Sequence, residues 1–168
     1  MKDLMHRQQM IRSRRETPVD APERRRLPQL LRRAWFNLNQ AFRRRSLTAG
    51  ITPDQFTVLR TLREQRRRGL SQRELAQKMT SDPNTIASLL RRMERSGLVA
   101  RRPDPADRRA YRVVLTGLGR TRFARVRPLA AHLQSQVLAA LTEERRERFL
   151  EDLERVAAAC QQATRDGP

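Results

Sequence analysis

At 168 residues the chain has room for one domain, or for a small domain carrying an extended dimer-forming part. Its formal net charge of +19 argues for a polyanionic partner such as nucleic acid, and no apolar run approaches the roughly 20 residues of a membrane span. Cys160 is the single cysteine, which excludes an intrachain disulfide. The N-terminus lacks the apolar core of a secretory signal, so a cytoplasmic protein is expected.

Residues 1–27 are rich in Arg, Gln, Pro and Glu and hold few large apolar side chains. They are read as a mobile basic arm with a short helix over 3–14. Such an arm adds sequence-independent phosphate affinity, and the same composition also suits a merely solvated tail. From Pro28 the pattern becomes helical. Leu30, Leu31, Ala34, Trp35, Leu38, Ala41 and Phe42 recur at three- and four-residue steps to about Arg45, which makes 28–50 a dimerisation helix with its terminating turn.

The next helix starts with several local signals. Thr52 is placed as N-cap, Pro53 at the first helical position and Gln55 for the return bond of a capping box, with Ile51 and Phe56 as a hydrophobic staple. After a basic turn, Ser71 and Glu74 repeat the capping box and Leu70 and Leu75 the staple, for a short helix over 71–79. Asp82 then caps a third helix opened by Pro83 and stopped by Gly97, with Ile86, Leu89, Leu90 and Met93 on one stripe. Two short helices joined by a tight turn form a helix-turn-helix.

Residues 99–102 and 110–115 read as strands, with Tyr111, Val113 and Leu115 on one face by the period of two. The loop between them is too polar to bury. Thr116 caps a long helix carrying Leu118, Phe123, Val126, Leu129, Leu133, Val137 and Leu141, and Pro128 inside it predicts a kink. Thr142, Glu143 and Glu144 start a last helix with Phe149, Leu153, Val156, Ala157 and Cys160 on one side, which assigns Cys160 to the core. The fold expected is mainly α with a small β-wing. A winged helix-turn-helix over 51–116 lies between N- and C-terminal dimerisation helices, 28–50 and 117–163, with a tail at 164–168.

Opposite the apolar stripe, the helix over 82–96 carries Asn84, Thr85, Ser88, Arg91, Arg92 and Arg95. Amide, hydroxyl and guanidinium groups are the donors that base-edge readout in a major groove requires. Asn84, Thr85 and Ser88 are assigned to bases, Arg91 to a base or phosphate, and Arg92 and Arg95 to phosphates. In the wing, Arg108 and Arg109 stand where an arginine can enter the negative potential of a narrow minor groove. Asp107 repels phosphate, so its expected task is to orient a neighbouring guanidinium. An ordinary solvated helix face and a solvated charged hairpin are the plainer alternatives.

The segment LLRRMERSGLVARRPDPADRRAYRVVLTGLGR resembles the winged helix-turn-helix of the MarR family of bacterial transcription regulators. The marks are Glu94-Arg95-Ser96-Gly97-Leu98-Val99, the Asp107-Arg108-Arg109 wing, and Val114-Leu115-Thr116 followed by Gly119. The likeness covers roughly 28–163, closely over 81–119 and by element order elsewhere. It places the family's wing aspartate and minor-groove arginine on Asp107 and Arg109. It also implies a homodimer intertwined through the terminal helices, double-stranded DNA as partner, a near-palindromic operator and a repressor role. Family members often release DNA on binding a small, frequently phenolic effector, and Trp35, Phe36, Phe56 and Tyr111 are the aromatic candidates to line such a pocket. Core packing accounts for the same four residues, and Arg32, Arg33 or Arg60 are equal choices for a pocket arginine.

No cofactor and no metal site is expected: His6 and His132 are too few and too far apart for ligation. The stretch Gly117-Leu118-Gly119 is a helix start rather than a nucleotide loop. Paired carboxylates and a nucleophile–base set are absent from the pattern, which argues against an enzyme. A sequence-tolerant nucleoid or RNA-binding structural protein is the competing reading of the charge.

Overall fold

A computed structural model of the chain describes residues 18, 21–22, 25–65, 68–107 and 109–166. The proposed helix at 3–14, most of the basic arm, and Arg108 lie outside these residues. Helix α1 covers Leu27–Ser46 and passes through a 3-10 turn, Leu47–Ala49, to α2 (Pro53–Glu64), α3 (Gln72–Lys78) and α4 (Pro83–Arg95). Strands β1 (Val99–Pro103) and β2 (Tyr111–Leu115) follow, then α5 (Gly117–Leu138) and α6 (Glu143–Arg165). The chain divides into two compact units, Met1–Gln40 and Ala41–Pro168. Among the described residues no helix is long and apolar enough to cross a membrane.

The helix starts follow from side chains within three residues. Thr52 and Gln55 close a reciprocal capping box, as do Ser71 and Glu74. The Asp82 carboxylate accepts the N–H groups of Asn84 and Thr85 at 2.8 and 3.1 Å. Each cap satisfies donors that the first turn leaves unpaired. The turn between α3 and α4 is closed by Thr80 in the left-handed region, with φ 48°.

In the second unit the three short helices bury their stripes against one another. Val58, Leu59 and Leu62 from α2 meet Leu75 of α3 and Ile86, Leu90 and Met93 of α4, all nearly or fully inaccessible. Each such side chain contributes about 1.5–3 kcal/mol by leaving water. Phe56 packs edge-on against Phe42, with ring centroids 5.0 Å apart, and stacks on Phe123 of α5 at 5.3 Å.

β1 and β2 pair antiparallel from Val99↔Leu115 to Pro103↔Tyr111. Leu70 adds a bridge to Val113, each residue donating to the other's carbonyl at 3.1 and 2.7 Å. Gly69 makes this approach feasible. Its φ is +68°, and a Cβ there would stand 2.6 Å from the Val113 oxygen.

Two expectations are corrected. Tyr111 shares its strand face with buried Val113, but the core ends before the outer end of β2, so the tyrosine is 56% exposed. Cys160 is exposed, because α6 buries none of its residues within the single chain. α5 continues as helix through Pro128 to Leu138.

Candidate nucleic-acid interface

The surface to be read runs along α4. Ile86, Leu89, Leu90 and Met93 anchor one side in the core, which fixes the opposite side outward by helical geometry. Asn84, Thr85, Arg91, Arg92 and Arg95 are exposed there and Ser88 is half-buried. The Arg92 guanidinium donates to the Ser88 hydroxyl at 3.0 Å, so one turn of the helix pairs a base-reading candidate with a phosphate-binding one. Glu94 is drawn off this face by Arg101 of β1, at 3.2 Å. The acid therefore offsets a strand arginine rather than the helix arginines.

The wing loop is held by backbone bonds. Asp104 N–H donates to the Ala110 carbonyl at 2.9 Å, and Ala110 N–H to the Asp107 carbonyl at 3.0 Å. Asp107 Oδ1 accepts the Arg109 N–H at 2.9 Å. Asp107 thus acts inside the loop as expected, but on a backbone amide. Its short side chain reaches the N–H two residues on and closes an Asx turn. Arg109 is exposed at this turn.

The guanidinium-orienting bond of the wing belongs to a pair that sequence reasoning passed over. Arg112 Nε donates to Asp104 Oδ2 at 2.6 Å, and its Nη1 lies 3.6 Å from Glu74 Oε2. The strand register contains the signal, since Arg112 faces Arg102 and Asp104 lies two residues beyond, within diagonal reach. Asp104 is held below the usual carboxylate range first by the Ala106 N–H and then by Arg112. Glu74 is lowered chiefly by its bonds to Ser71.

Thr116 joins the wing to α5. Its hydroxyl donates to the Gly97 carbonyl at 2.6 Å, while its oxygen accepts the Gly119 N–H at 3.0 Å. These bonds tie Thr116 and Gly119 to the turn that ends α4.

Trp35 and Phe36 are 64% and 54% exposed on α1, Tyr111 is exposed on the wing, and Phe56 is in the core. Phe56 does line a groove of about 250 Å³ between α2 and α5, together with Arg60, Arg63, Phe123 and Arg127. A neighbouring groove of about 510 Å³ is lined by Arg63, Arg120, Phe123, Ala124, Arg127, Pro128 and Ala131. Arg60, one of the arginines named from sequence, lines the smaller groove and is paired with Glu64 at 3.0 Å. The remaining groove arginines are Arg63 of α2 and Arg120 and Arg127 of α5, and nothing in a chain so rich in arginine marked them out.

A model of the MarR family matches residues 51–111. The chain is similar to the transcriptional regulator MosR of M. tuberculosis, solved in complex with DNA. Identity is 31%, 79% of this chain and 96% of that chain are covered, and the TM-score is 0.64. It is similar to BpsR of Bordetella bronchiseptica at 27% identity, with 79% and 94% covered and a TM-score of 0.72. It shares the fold of S. aureus MepR, solved in a DNA complex, at 23% identity, with 79% and 96% covered and a TM-score of 0.73. No functionally curated protein shows significant similarity to the chain.

Proposed function

The chain belongs to the MarR family of transcription regulators, and from that premise we propose that it is a homodimeric repressor of a near-palindromic operator. The observation that carries the reading is the two-sided α4, buried through Ile86, Leu89, Leu90 and Met93 and exposed through Asn84, Thr85 and Arg91, beside an exposed wing. α4 lies in the major groove with Asn84, Thr85 and Ser88 on base edges, Arg91 on a base or phosphate, and Arg92 and Arg95 on phosphates. Arg109 enters the adjoining minor groove, and Asp107 shapes the turn that presents it. Arg108, the preceding residue in sequence, is read as a second wing contact from its charge alone.

Two copies pair through apolar side chains that the single chain leaves in water. These are Leu30, Leu31 and Trp35 on α1, Val137 on α5, and Phe149 and Leu153 on α6. Exposed apolar surface on this scale marks an interface. The dimer sets the recognition helices about one duplex turn, roughly 34 Å, apart.

A small acidic, phenolic-type effector releases the DNA. The grooves between α2 and α5 combine an aromatic floor, Phe56 and Phe123, with the cationic rim of Arg63 and Arg127. DNA binding by the similar BpsR is regulated by 6-hydroxynicotinic acid, which has this chemistry.

The deciding experiment compares binding to DNA upstream of the chain's own gene with binding to a scrambled duplex at moderate salt. Specific binding supports the operator reading. Equal affinities favour a sequence-tolerant architectural protein, whose binding would rest on phosphate contacts alone.

A further inference from the structure

Arg112 ties three separate segments together. It donates to Asp104 at the start of the wing loop at 2.6 Å, approaches Glu74 in the first turn of α3 at 3.6 Å, and reaches the Gly69 carbonyl at 3.5 Å. Both its partners also organise their own segments. Asp104 accepts the Ala106 N–H at 2.9 Å, and Glu74 accepts the Ser71 N–H at 2.7 Å in the capping box that starts α3. The Arg112 side chain is only 13% exposed and that of Asp104 11%, whereas the arginines of α4 stand in solvent. Arg112 is thus spent within the protein and presents little surface to a phosphate.

A two-stranded hairpin is at best marginally stable alone, and this wing extends past its ladder in a polar loop. Something must hold its angle against the helix-turn-helix. A guanidinium is suited to that, because its planar fork offers donors to several acceptors at once.

We propose that Arg112 is a positioning residue that locks the wing to the start of α3, so that Arg109 and α4 meet neighbouring grooves of one duplex together. The inference rests on the operator-binding reading for its DNA arm, but its mechanical claim does not.

The test uses Arg112→Gln and Asp104→Asn in the full-length protein. Without DNA, amide hydrogen exchange at Ala106 and Arg109 should accelerate about tenfold, as loss of a charge-assisted bond allows, while the amides of α4 keep their protection. On upstream DNA both variants should lose minor-groove protection and keep major-groove protection, and the double variant should be no worse than either single one. Because Arg112 touches no phosphate, the salt dependence of binding should keep its slope. Arg112→Lys should restore part of the loss, since a single ammonium can hold Asp104 without bridging all three segments.

Unchanged exchange in the wing would overturn the proposal. So would equal loss of protection in both grooves, or a slope reduced by about one, which marks a direct phosphate ligand. If Arg112→Gln fails to fold, Asp104→Asn carries the same arms. Absence of any groove-specific protection by the parent protein would defeat the operator reading, and the exchange experiment would still decide the clamp.

Discussion

A methyl group added to Gly119 would collide with the carbonyl oxygen of Leu98. The first turn of α5 therefore rests directly on the backbone between α4 and β1, and Gly119 also donates its N–H to Thr116 at 3.0 Å. Backbone cannot yield as a flexible side chain does. Gly119→Ala is expected to destabilise the second unit by about 1–3 kcal/mol, the usual cost of forcing extra volume into a packed site. Denaturant unfolding of parent and variant measures it, and an unchanged midpoint would refute the contact.

Asp82 determines where α4 begins, and Asn84 and Thr85 receive its two bonds. Asp82→Ala leaves those amides unpaired and frays the end of the helix proposed to touch bases. A lower thermal midpoint is expected, together with a loss of discrimination between operator and scrambled DNA. Asp82→Asn, which retains an acceptor oxygen, should recover most of both. Equal behaviour of the two variants would show that the cap is irrelevant to reading.

These caps were legible because they are local. Thr52 with Gln55, Ser71 with Glu74, and Asp82 with Pro83 state their helix starts within three residues, and the stripe Ile86/Leu89/Leu90/Met93 states which side of α4 faces in. What was not legible depends on chain far away in sequence. Gly69 and Gly119 are required by carbonyls of Val113 and Leu98, and Arg112 finds Glu74 across thirty-eight positions. Tyr111 illustrates a different limit, since alternation gives a strand's faces but not where the core beneath it ends. Cys160 illustrates a third. An apolar helix face fixes which side wants burial, and leaves open whether its own chain supplies the cover.

Stability should depend on acid in a defined direction. Glu74 is lowered in the folded chain by its Ser71 bonds, Asp82 by Thr85, and Asp104 by Ala106 and Arg112. With folded values below the ordinary 4.5 for Glu and 3.8 for Asp, the unfolded chain binds more protons in this range. Stability is then complete above about pH 4.5 and falls as pH drops through the lowered values. Glu74→Gln should shallow that decline, which thermal melts between pH 3 and 6 would reveal. A decline of the same steepness would remove Glu74 from the account.

The proposed DNA contacts predict two distinct phenotypes. Asn84→Ala should reduce discrimination between operator and mutated operator by about 1–3 kcal/mol, the worth of a base contact, with little effect on scrambled duplex. Arg109→Ala should weaken operator binding and lower the salt slope by about one if its charge lies against the backbone of the minor groove. Its exposure on the wing means the fold should be unaffected. Titrations at several salt concentrations separate the two. If Asn84→Ala weakens all duplexes alike, α4 is not reading sequence through this residue.

The terminal helices should fail only in association. Phe149 and Leu153 are 44% and 39% exposed, and no residue of α6 is buried in the single chain. A charge on this face costs the monomer little, because the side chain it replaces already meets water. In a dimer the same charge would be buried without a partner, and that cost exceeds what the lost apolar contact supplied. Leu153→Glu is therefore expected to retain helicity by circular dichroism, run as a monomer by light scattering at micromolar concentration, and lose operator affinity steeply. Loss follows because one recognition helix alone forgoes the second half-site. A parent protein that is itself monomeric would defeat the dimer reading. A Leu153→Glu variant that remains dimeric and fully active would place the interface elsewhere than on this face of α6.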